Sequence, residues 1–492
     1  MVTPVPLLHA VNGGEFHDYE PVRNFRDARS VAWNETKKLW KIAGPIAFTI
    51  ICNFGNNTAT TMFVGHLGNL QLSAVSISLS VICTFSFGFM LGMGSALETL
   101  CGQAFGAGHV NMLGVYMQRS WIILFTSCVI LTPIYIFSAP ILKLLGQDDD
   151  VANLAGTFTI YCIPQLFSLA FNFPAQKFLQ AQSKVLVLAW IGFISLLVQI
   201  GMLSLFIYVF DWGIYGAGIA FGITGWVIVI AQNIYIMKWC KEGWTGFSWL
   251  AFKDIWAFVR LSLESAVMLC LEIWYMMTLI LATGHLSNAV LSIDSLAICL
   301  NFNGLEAMLF IGINAAISVR VSNELGLARP RAAKYSVYVT VGQSLLIGIV
   351  CMVVILITKD YFSVLYTNNE ELQHSVSNLA ILLGVTMLLN SVQPVISGVA
   401  IGGGWQGLVA YVNLGCYYII GLPLGILLGY VAKWGVKGIW GGMICGTALQ
   451  TLLLMIVLYR TNWNKEVEQT TDRMKKWAGQ DYGDEEIAAV SV

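Results

Sequence analysis

Charged residues are scarce in this 492-residue sequence. Asp, Glu, Lys and Arg together make up 11% of it, whereas soluble globular proteins contain about 25%. Hydrophobic residues make up 57%, and the mean hydropathy is +0.72. This composition excludes a soluble globular domain and indicates a membrane protein with several spans. The net charge is −1 and no basic patch stands out, so we expect no binding of nucleic acid.

Motifs of redox, metal and nucleotide chemistry are also missing. The 11 cysteines include no CxxC pair and lie mostly inside apolar runs, so we interpret them as small core residues and expect no metal. No GxxxxGK[ST] motif is present, which argues against ATP as a partner. We therefore expect no enzyme and no cofactor.

Stretches without Asp, Glu, Lys or Arg divide the chain into candidate membrane helices. A span needs about 20 apolar residues. The charge-free stretches are 42–97, 120–142, 151–176, 185–210, 212–237, 335–358, 372–432 and 438–459. The two longest each hold two spans around a Gly-containing turn, and weaker spans near 255–283 and 289–312 complete the set. The sequence thus predicts an all-α integral membrane protein with 12 transmembrane helices.

Lysine and arginine predict the orientation of these helices. With the N-terminus in the cytoplasm, 22 of the 26 Lys and Arg residues fall on that side, as the positive-inside rule requires. The acidic residues 148–150 then lie on the opposite side. The first 36 residues are polar and contain no signal-peptide core, so we expect the first span to remain as an anchor. Both termini are predicted to be cytoplasmic.

Internal repeats divide the chain into two halves. GHLGN at 65–69 returns as GHLSN at 284–288, and WGIYG at 212–216 returns as WGVKG at 434–438. Two parallel six-helix lobes related by a pseudo-two-fold axis, facing each other across a cleft, suit alternating access. The predicted parts are an N-terminal tail (1–36), an N-lobe (37–238), a cytoplasmic linker (239–254), a C-lobe (255–460) and a C-terminal tail (461–492).

One carboxylate lies deep inside a predicted span. Glu272 interrupts the apolar stretch SAVMLCLEIWYMMTLILATGHL at 265–286, where a charge costs roughly 2.5–3.5 kcal/mol on insertion scales. At the repeat offset its counterpart is the uncharged Asn53, so the architecture itself does not require an acid there. Without a basic residue nearby in sequence, Glu272 must be protonated, hydrogen-bonded or bound to a cation. We interpret it as a proton- or cation-coupling group, with a hydrogen-bonded structural acid as the alternative.

Further polar residues follow Glu272 in the second half. Asp294 and Asn301 are seven residues apart and share a helix face, so both are candidates for the same polar pocket, with Asp294 as a second coupling group. Asn303 and Glu306 lie on a different face of the same helix and are further candidates for the polar pocket of the C-lobe, although Glu306 serves equally well in packing between helices. Glu264 lies one turn after Arg260, which indicates an ordinary surface ion pair.

A proline marks a bend in a later span. Asn390 precedes Pro394 by four residues, so the Asn390 carbonyl loses its helical N–H partner. A free carbonyl beside an amide side chain forms a polar bend that belongs to the predicted pocket, and a simple kink is the alternative.

Several motifs together resemble one family of transporters. FVGHLG (63–68), LETLCGQAFGAG (97–108), PAQKFLQAQ (174–182), SAVMLCLEIWY (265–275), AAISVRVSNELG (315–326) and SGVAIGGGWQ (397–406) are similar to the plant detoxification branch of the multidrug and toxic compound extrusion (MATE) family. The resemblance implies the MATE fold and assigns proton response to Glu272. A second family acid aligns with Asn390 here. The first-lobe aspartate of many relatives is also replaced, with Asn53 and Asn56 nearby as possible polar residues of the N-lobe.

The resemblance implies a function in secondary transport. We expect proton-coupled antiport of organic compounds such as xenobiotics and flavonoid- or alkaloid-like metabolites, driven by a proton gradient. The alternative is an anion channel or uniporter on the same fold, for which Lys177 is a candidate. The expected partners are the lipid bilayer, a small organic substrate and protons. We expect a monomer in the vacuolar membrane, with the plasma membrane as the alternative.

Overall fold

Helices make up the architecture of this protein. In a computed structural model, residues 18–253, 255–283, 286 and 289–478 are described, and none of these residues lies in a strand. The helices are α1 (Phe25–Gly65), α2 (Asn69–Ile77), α3 (Thr84–Gly106), α4 (Met112–Ile136), α5 (Ser138–Leu144), α6 (Asp149–Tyr161), α7 (Ile163–Ala181), α8 (Val185–Ser204), α9 (Gly213–Trp239), α10 (Ile255–Thr283), α11 (Ala289–Gly326), α12 (Pro330–Ile357), α13 (Glu370–Gly403), α14 (Gln406–Asn413), α15 (Leu422–Ile426), α16 (Val436–Arg460) and α17 (Trp463–Ala478). Short π-helical segments cover Ser78–Cys83, Leu205–Val209, Leu414–Gly421 and Leu427–Val431, and 3-10 turns cover Trp249–Phe252 and Phe362–Leu365.

Most of these helices are suited to a bilayer. Within the described residues, ten helices are long and apolar enough to cross a membrane, or eleven if α6 and α7, which meet at a 46° bend, form one span. These eleven elements correspond to the second through twelfth predicted spans. The predicted first span lies within α1, whose residues from 42 onward carry no charge. The all-α membrane fold predicted from the sequence is therefore confirmed.

Helix ends follow from local capping chemistry. The Asp148 side chain accepts a hydrogen bond from the Asp150 backbone N–H at the start of α6. Asn369 does the same for the first turn of α13, and Gly404, directly after the last residue of this helix, is in the left-handed conformation with φ 79°. Side-chain acceptors at the N-cap and a left-handed glycine at the C-terminus satisfy backbone groups that the helix leaves unpaired.

The backbone repeats its unusual conformations at a fixed spacing. Residues with positive φ recur in pairs at spacings of 220 to 222 residues: Gly108 with Ala328, Asp211 with Lys433, and Gly213 with Gly435. The π-helical segments Leu205–Val209 and Leu427–Val431 have the same spacing. The two halves therefore share local backbone geometry, as the repeated motifs predict, although most of the GHLSN copy lies outside the described residues.

Contacts divide the chain into two compact units. Among the described residues, the first comprises Gly44–Ala266 and 471–478, and the second comprises 18–43 and Val267–Thr470. The N-terminal part of α1 thus groups with the second unit, and the part of α10 up to Ala266, about three turns, groups with the first. The two lobes predicted from the sequence, 37–238 and 255–460, remain a prediction.

The N-terminal segment is tied to the second unit by polar contacts. The Asp18 carboxylate accepts hydrogen bonds from the backbone N–H groups of Arg331 and Ala332 at the start of α12. The Tyr19 hydroxyl donates to Glu35 at 2.8 Å. Glu35 is buried and pairs with Arg320 at 2.9 Å. An ion-paired cluster therefore joins the start of α1 to α11.

Candidate functional site around Glu272

Three side chains converge on a single oxygen of Glu272. Its Oε1 accepts hydrogen bonds from Gln393 Nε2 at 3.0 Å, Asn413 Nδ2 at 3.1 Å and Ser397 Oγ at 3.4 Å. These donors lie on α13 and α14, more than 120 residues from Glu272 along the chain. All three are neutral, so the described residues around this carboxyl group provide hydrogen bonds without a compensating positive charge.

The other carboxylate oxygen is different. Among the described residues, Oε2 of Glu272 accepts no hydrogen bond, and it is not one of the fully buried polar atoms that lack a partner. The side chain as a whole is half-buried. One oxygen is therefore held in place, whereas the other retains an accessible surface where a proton can be exchanged.

Pro394 lies between two of the donors. Gln393 and Ser397 are separated by one helical turn, and Gln393 Nε2 also donates to Ser397 Oγ at 3.2 Å. Helix α13 runs without interruption from Glu370 to Gly403 through this proline. The side chain of Asn314 donates to the Pro394 carbonyl at 2.6 Å and so ties α13 to α11. Because proline cannot donate the backbone hydrogen bond, the helix is locally weaker where it holds Glu272.

A second layer of neutral groups orients Asn413. Its Oδ1 accepts from Gln450 Nε2 at 3.0 Å, and Gln450 Oε1 accepts from Thr451 Oγ1 at 3.4 Å. The Asn413 amide nitrogen also donates to the Met268 carbonyl at 3.4 Å. Asn413 and Gln450 are fully buried. These contacts fix which end of the amide faces the carboxylate.

Tyrosines add further contacts between α10 and its neighbours. The ring of Tyr275 stacks on Tyr417 with centroids 4.4 Å apart, and its hydroxyl donates to the Met443 carbonyl at 2.9 Å. Tyr418 donates to the Leu271 carbonyl at 3.1 Å. These hydrogen bonds hold α10 against the helices that carry Asn413 and Gln450.

Two of the four residues predicted to share one polar pocket contact each other in the structure. Asn390 donates to Asn303 Oδ1 at 3.0 Å. Asn301 is exposed and donates to the Ala297 carbonyl of its own helix. It points away from Asn303, because residues two positions apart on a helix differ in direction by about 200°. Glu306 is buried, and neither of its carboxylate oxygens has a hydrogen-bond partner among the described residues. The contact between Asn390 and Asn303 joins two of the predicted residues, and a pocket shared by all four remains a prediction.

Asp294 does not join Glu272 either. It is exposed on α11 and forms no hydrogen bond with a described residue. The predicted surface pair is present, since Arg260 Nε lies 3.0 Å from Glu264 Oε1. Gln393, Ser397 and Asn413 were not predicted from the sequence. The available signal was a set of isolated amides and hydroxyls inside charge-free spans, two of them flanking Pro394.

The N-lobe candidates lie in an uncharged environment. Asn56 is buried and donates to Ser195 Oγ at 3.5 Å, whereas Asn53 is half-buried. On the same helix, Thr60 accepts a hydrogen bond from Gln199 at 2.9 Å. These contacts join uncharged side chains, as in ordinary packing between helices. The counterpart of Glu272 in this half is Asn53, which carries no carboxylate.

One cleft close to the site is small. A cleft in the second unit, lined by Thr386, Asn390, Trp440 and Thr447 among others, holds about 10 Å³, which is room for about one water molecule. Trp440 Nε1 donates to Thr386 Oγ1 at 3.0 Å on its wall. This cleft does not have space for an organic substrate, so the second unit in this conformation encloses no substrate pocket there.

The sequence and structure are similar to known transporters. The MatE family model matches residues 45–204 and 265–427, so one matched segment falls in each half. Protein DETOXIFICATION 35 of Arabidopsis thaliana is 68% identical, with 98% of this chain and 99% of the relative covered. Protein DETOXIFICATION 34 of the same plant is 62% identical over 96% of this chain and 87% of its own length.

Solved structures give the same result. The crystal structure of the eukaryotic MATE transporter AtDTX14 has a TM-score of 0.86 at 34% identity, covering 90% of this chain and 100% of that one. The bent form of the Vibrio cholerae MATE transporter VcmN, 16% identical, has a TM-score of 0.75 over 91% of this chain and 99% of its own, and shows the shared fold. The chain is a multi-pass membrane protein and belongs to the MATE family of transporters.

Proposed function

We propose that this transporter exchanges organic compounds for protons by alternating access, with Glu272 as the proton-binding group. The observation that carries the proposal is the environment of this carboxyl group, in which three neutral donors hold one oxygen and leave the other accessible. This arrangement suits a group that takes up and releases a proton at one oxygen while the other oxygen stays hydrogen-bonded to Gln393, Ser397 and Asn413.

Protonation would loosen the contacts of α13. Hydrogen bonds to a charged acceptor contribute about 1.5–3 kcal/mol, whereas neutral ones contribute about 0.5–1.5 kcal/mol. When Oε2 takes up a proton, the bonds from Gln393 and Ser397 to Oε1 become neutral and weaken. These two residues flank Pro394, where the helix lacks a backbone hydrogen bond. Proton binding thus favours a change in the bend of α13 and couples charge to helix shape.

The sequence predicts that Asp294, Asn301 and Asn390 share one polar pocket, but the hydrogen-bond partners of Glu272 are Gln393, Ser397 and Asn413. The proposed mechanism therefore uses these three residues. A gradient of two pH units supplies about 2.7 kcal/mol per proton, enough for roughly 100-fold accumulation at one-to-one exchange of a neutral solute.

The anion-channel alternative loses its candidate residue. Lys177 is buried and its ammonium group lies 2.5 Å from Glu98 Oε2. A lysine neutralised in this way contributes little attraction for an anion, whereas an anion pathway needs basic or amide groups in its lining. We therefore favour antiport over a channel.

The test is exchange in proteoliposomes that contain the full-length chain. A pH-sensitive dye inside the vesicles reports proton movement, with ethidium as a flat organic cation and quercetin as a flavonoid for probes. Glu272→Gln preserves the shape and hydrogen bonding but cannot titrate, so we expect probe-dependent proton movement and gradient-driven uptake to disappear. Glu264→Gln, eight residues earlier on α10, is the matched control and should transport normally.

Currents are recorded on the same preparation. Antiport predicts that uptake follows the pH gradient, whereas a channel predicts an anion conductance that persists in Glu272→Gln. Normal gradient-driven uptake by well-folded Glu272→Gln would refute the role of this carboxyl group. We propose the vacuolar membrane as the location, with both termini in the cytoplasm, and a monomer without ATP, metal or nucleic acid as partners. Fluorescent tagging at either terminus and size determination in detergent test these points.

A further inference from the structure

The segment between α9 and α10, together with the adjoining ends of both helices, exposes a group of aromatic rings. Trp249 is 86% exposed, Phe247 81% and Trp256 73%. Phe252 and Trp239 are also exposed. Aromatic side chains are normally among the groups that a fold buries, so a surface rich in them needs an apolar or amphipathic partner.

The backbone of this segment is firmly held while the rings point outward. Gln118 donates to the Gly246 carbonyl at 2.9 Å and accepts from the Ser248 N–H at 3.0 Å. The buried Arg119 donates to the Leu250 carbonyl at 3.1 Å, and Ala251 is buried beneath the 3-10 turn. The aromatic rings are therefore exposed on a segment whose backbone is held in place by hydrogen bonds from α4.

The position of the segment limits what can cover it. It joins Gly213–Trp239 to a helix that starts at Ile255, and both helices are long and apolar enough to cross a membrane. A segment of about 15 residues between two spans lies at the bilayer surface. Tryptophan and other aromatic residues are enriched at this depth, where the ring is amphipathic and the surroundings are partly apolar.

Charge selects among lipid surfaces. Lys238 and Lys241 are exposed beside the rings, and Lys184 Nζ lies 3.3 Å from the Cys240 sulfur between them. Among the described residues of 238–256, Glu242 is the one acidic residue, and its side chain is exposed. Lysines at a membrane surface attract anionic headgroups, and the attraction adds to that of inserted aromatic rings.

From these contacts we infer that residues 238–256 form a docking surface for anionic phospholipid headgroups, with Phe247, Trp249 and Trp256 inserted among the lipids and Lys238 and Lys241 bound to the headgroups. Because this segment connects the two halves of the chain, lipid binding here fixes the start of α10, the helix that carries Glu272. The inference concerns a site that proton exchange does not use, so it stands or fails independently of the proposed function.

Photo-cross-linking to lipids tests the inference. The full-length protein is reconstituted in phosphatidylcholine vesicles with an equal trace of photoactivatable phosphatidylserine or photoactivatable phosphatidylcholine. After irradiation and chymotryptic digestion, mass spectrometry measures the yield of each lipid on peptides from 238–256. With both lipids in both leaflets, the direction of insertion does not affect the result.

We expect phosphatidylserine to cross-link to these peptides at least about twofold more than phosphatidylcholine. Lys238→Gln/Lys241→Gln should bring the ratio close to one while cross-links to phosphatidylcholine remain, because the rings still insert. The matched control is Lys433→Gln/Lys437→Gln, which removes two lysines beside the exposed Trp434 in another loop and should leave the ratio unchanged.

Three results would overturn the inference. The absence of lipid cross-links on 238–256 would mean that the rings do not meet the bilayer and are free for a soluble partner. Equal yields of the two lipids in the unmodified protein would show insertion without headgroup selection. A ratio that survives Lys238→Gln/Lys241→Gln would place the anionic lipid at other residues.

Discussion

The buried ion pair between Glu98 and Lys177 makes a quantitative prediction about the first unit. Lys177 Nζ lies 2.5 Å from Glu98 Oε2, and their side chains are 9% and 2% exposed. The other oxygen, Oε1, is buried without a hydrogen-bond partner among the described residues. Glu98 therefore depends on the ammonium group of Lys177. Lys177→Met keeps most of the side-chain volume and leaves this carboxylate without its positive partner.

The expected cost follows from the burial of both groups. Removing one member of a buried ion pair destabilises a protein by about 3–5 kcal/mol, because the remaining charge is uncompensated. For the 223 residues of Gly44–Ala266, an unfolding entropy of about 2.1 cal/mol/K per residue gives about 0.5 kcal/mol/K in total. Lys177→Met should then lower Tm by roughly 6–10 °C if this unit unfolds cooperatively.

A double variant separates charge from packing. Glu98→Gln/Lys177→Met removes both charges. Replacing a buried ion pair by uncharged residues often changes the free energy of unfolding little. We expect it to recover most of the lost Tm, measured in detergent by thermal unfolding with size-exclusion detection. Glu98→Gln alone should be destabilising as well, because it leaves the buried lysine unpaired.

Function gives a second measurement on the same variants. If Lys177 attracts anions in a channel, Lys177→Met removes anion conductance and Glu98→Gln/Lys177→Met does not restore it. If the pair is structural, the stable double variant transports like the unmodified protein. A Lys177→Met variant with unchanged Tm would refute the reasoning about the ion pair.

Other predictions concern local packing, titration and topology. Gly442→Ala places a Cβ 2.2 Å from a backbone nitrogen of the neighbouring helix, whereas Gly441→Ala meets nothing within 4 Å, so the yield of folded protein should fall for the first variant and hold for the second. Burial, followed by the hydrogen bond to Glu35, raises the pKa of the Tyr19 hydroxyl above its usual value. The stability that this hydrogen bond adds is therefore fully present below the unfolded pKa of about 10, and it is lost as pH rises through the folded pKa. The difference in Tm between the unmodified protein and Tyr19→Phe should be constant from pH 6 to 9. A change of this difference within that range would contradict the prediction. In a cysteine-depleted background, Asp149→Cys should react with an impermeant maleimide from outside the cell or from the vacuolar lumen; reaction from the cytoplasm alone would overturn the predicted orientation.

The sequence was informative about the membrane helices and their repeats. Spans are visible because the bilayer requires about 20 apolar residues in a row, and this requirement acts on each segment separately. The same local rule singled out Glu272, since a carboxylate is conspicuous in such a segment. Capping residues such as Asp148 and Asn369 also act within a few residues, and both begin their helices as the capping preference predicts.

The partners of Glu272 depended on the tertiary structure. Gln393, Ser397 and Asn413 reach it from positions 121, 125 and 141 residues away. Which side chains meet depends on the rotation and depth of each helix against its neighbours, and apolar spans specify neither strongly, because lipid and protein surroundings are similarly apolar. The helix period correctly placed Asp294 and Asn301 on one face, but it carries no information about what that face meets. Glu98 and Lys177, 79 residues apart, became an ion pair only through packing of α3 against α7, and this contact changed Lys177 from a candidate anion site into a structural partner.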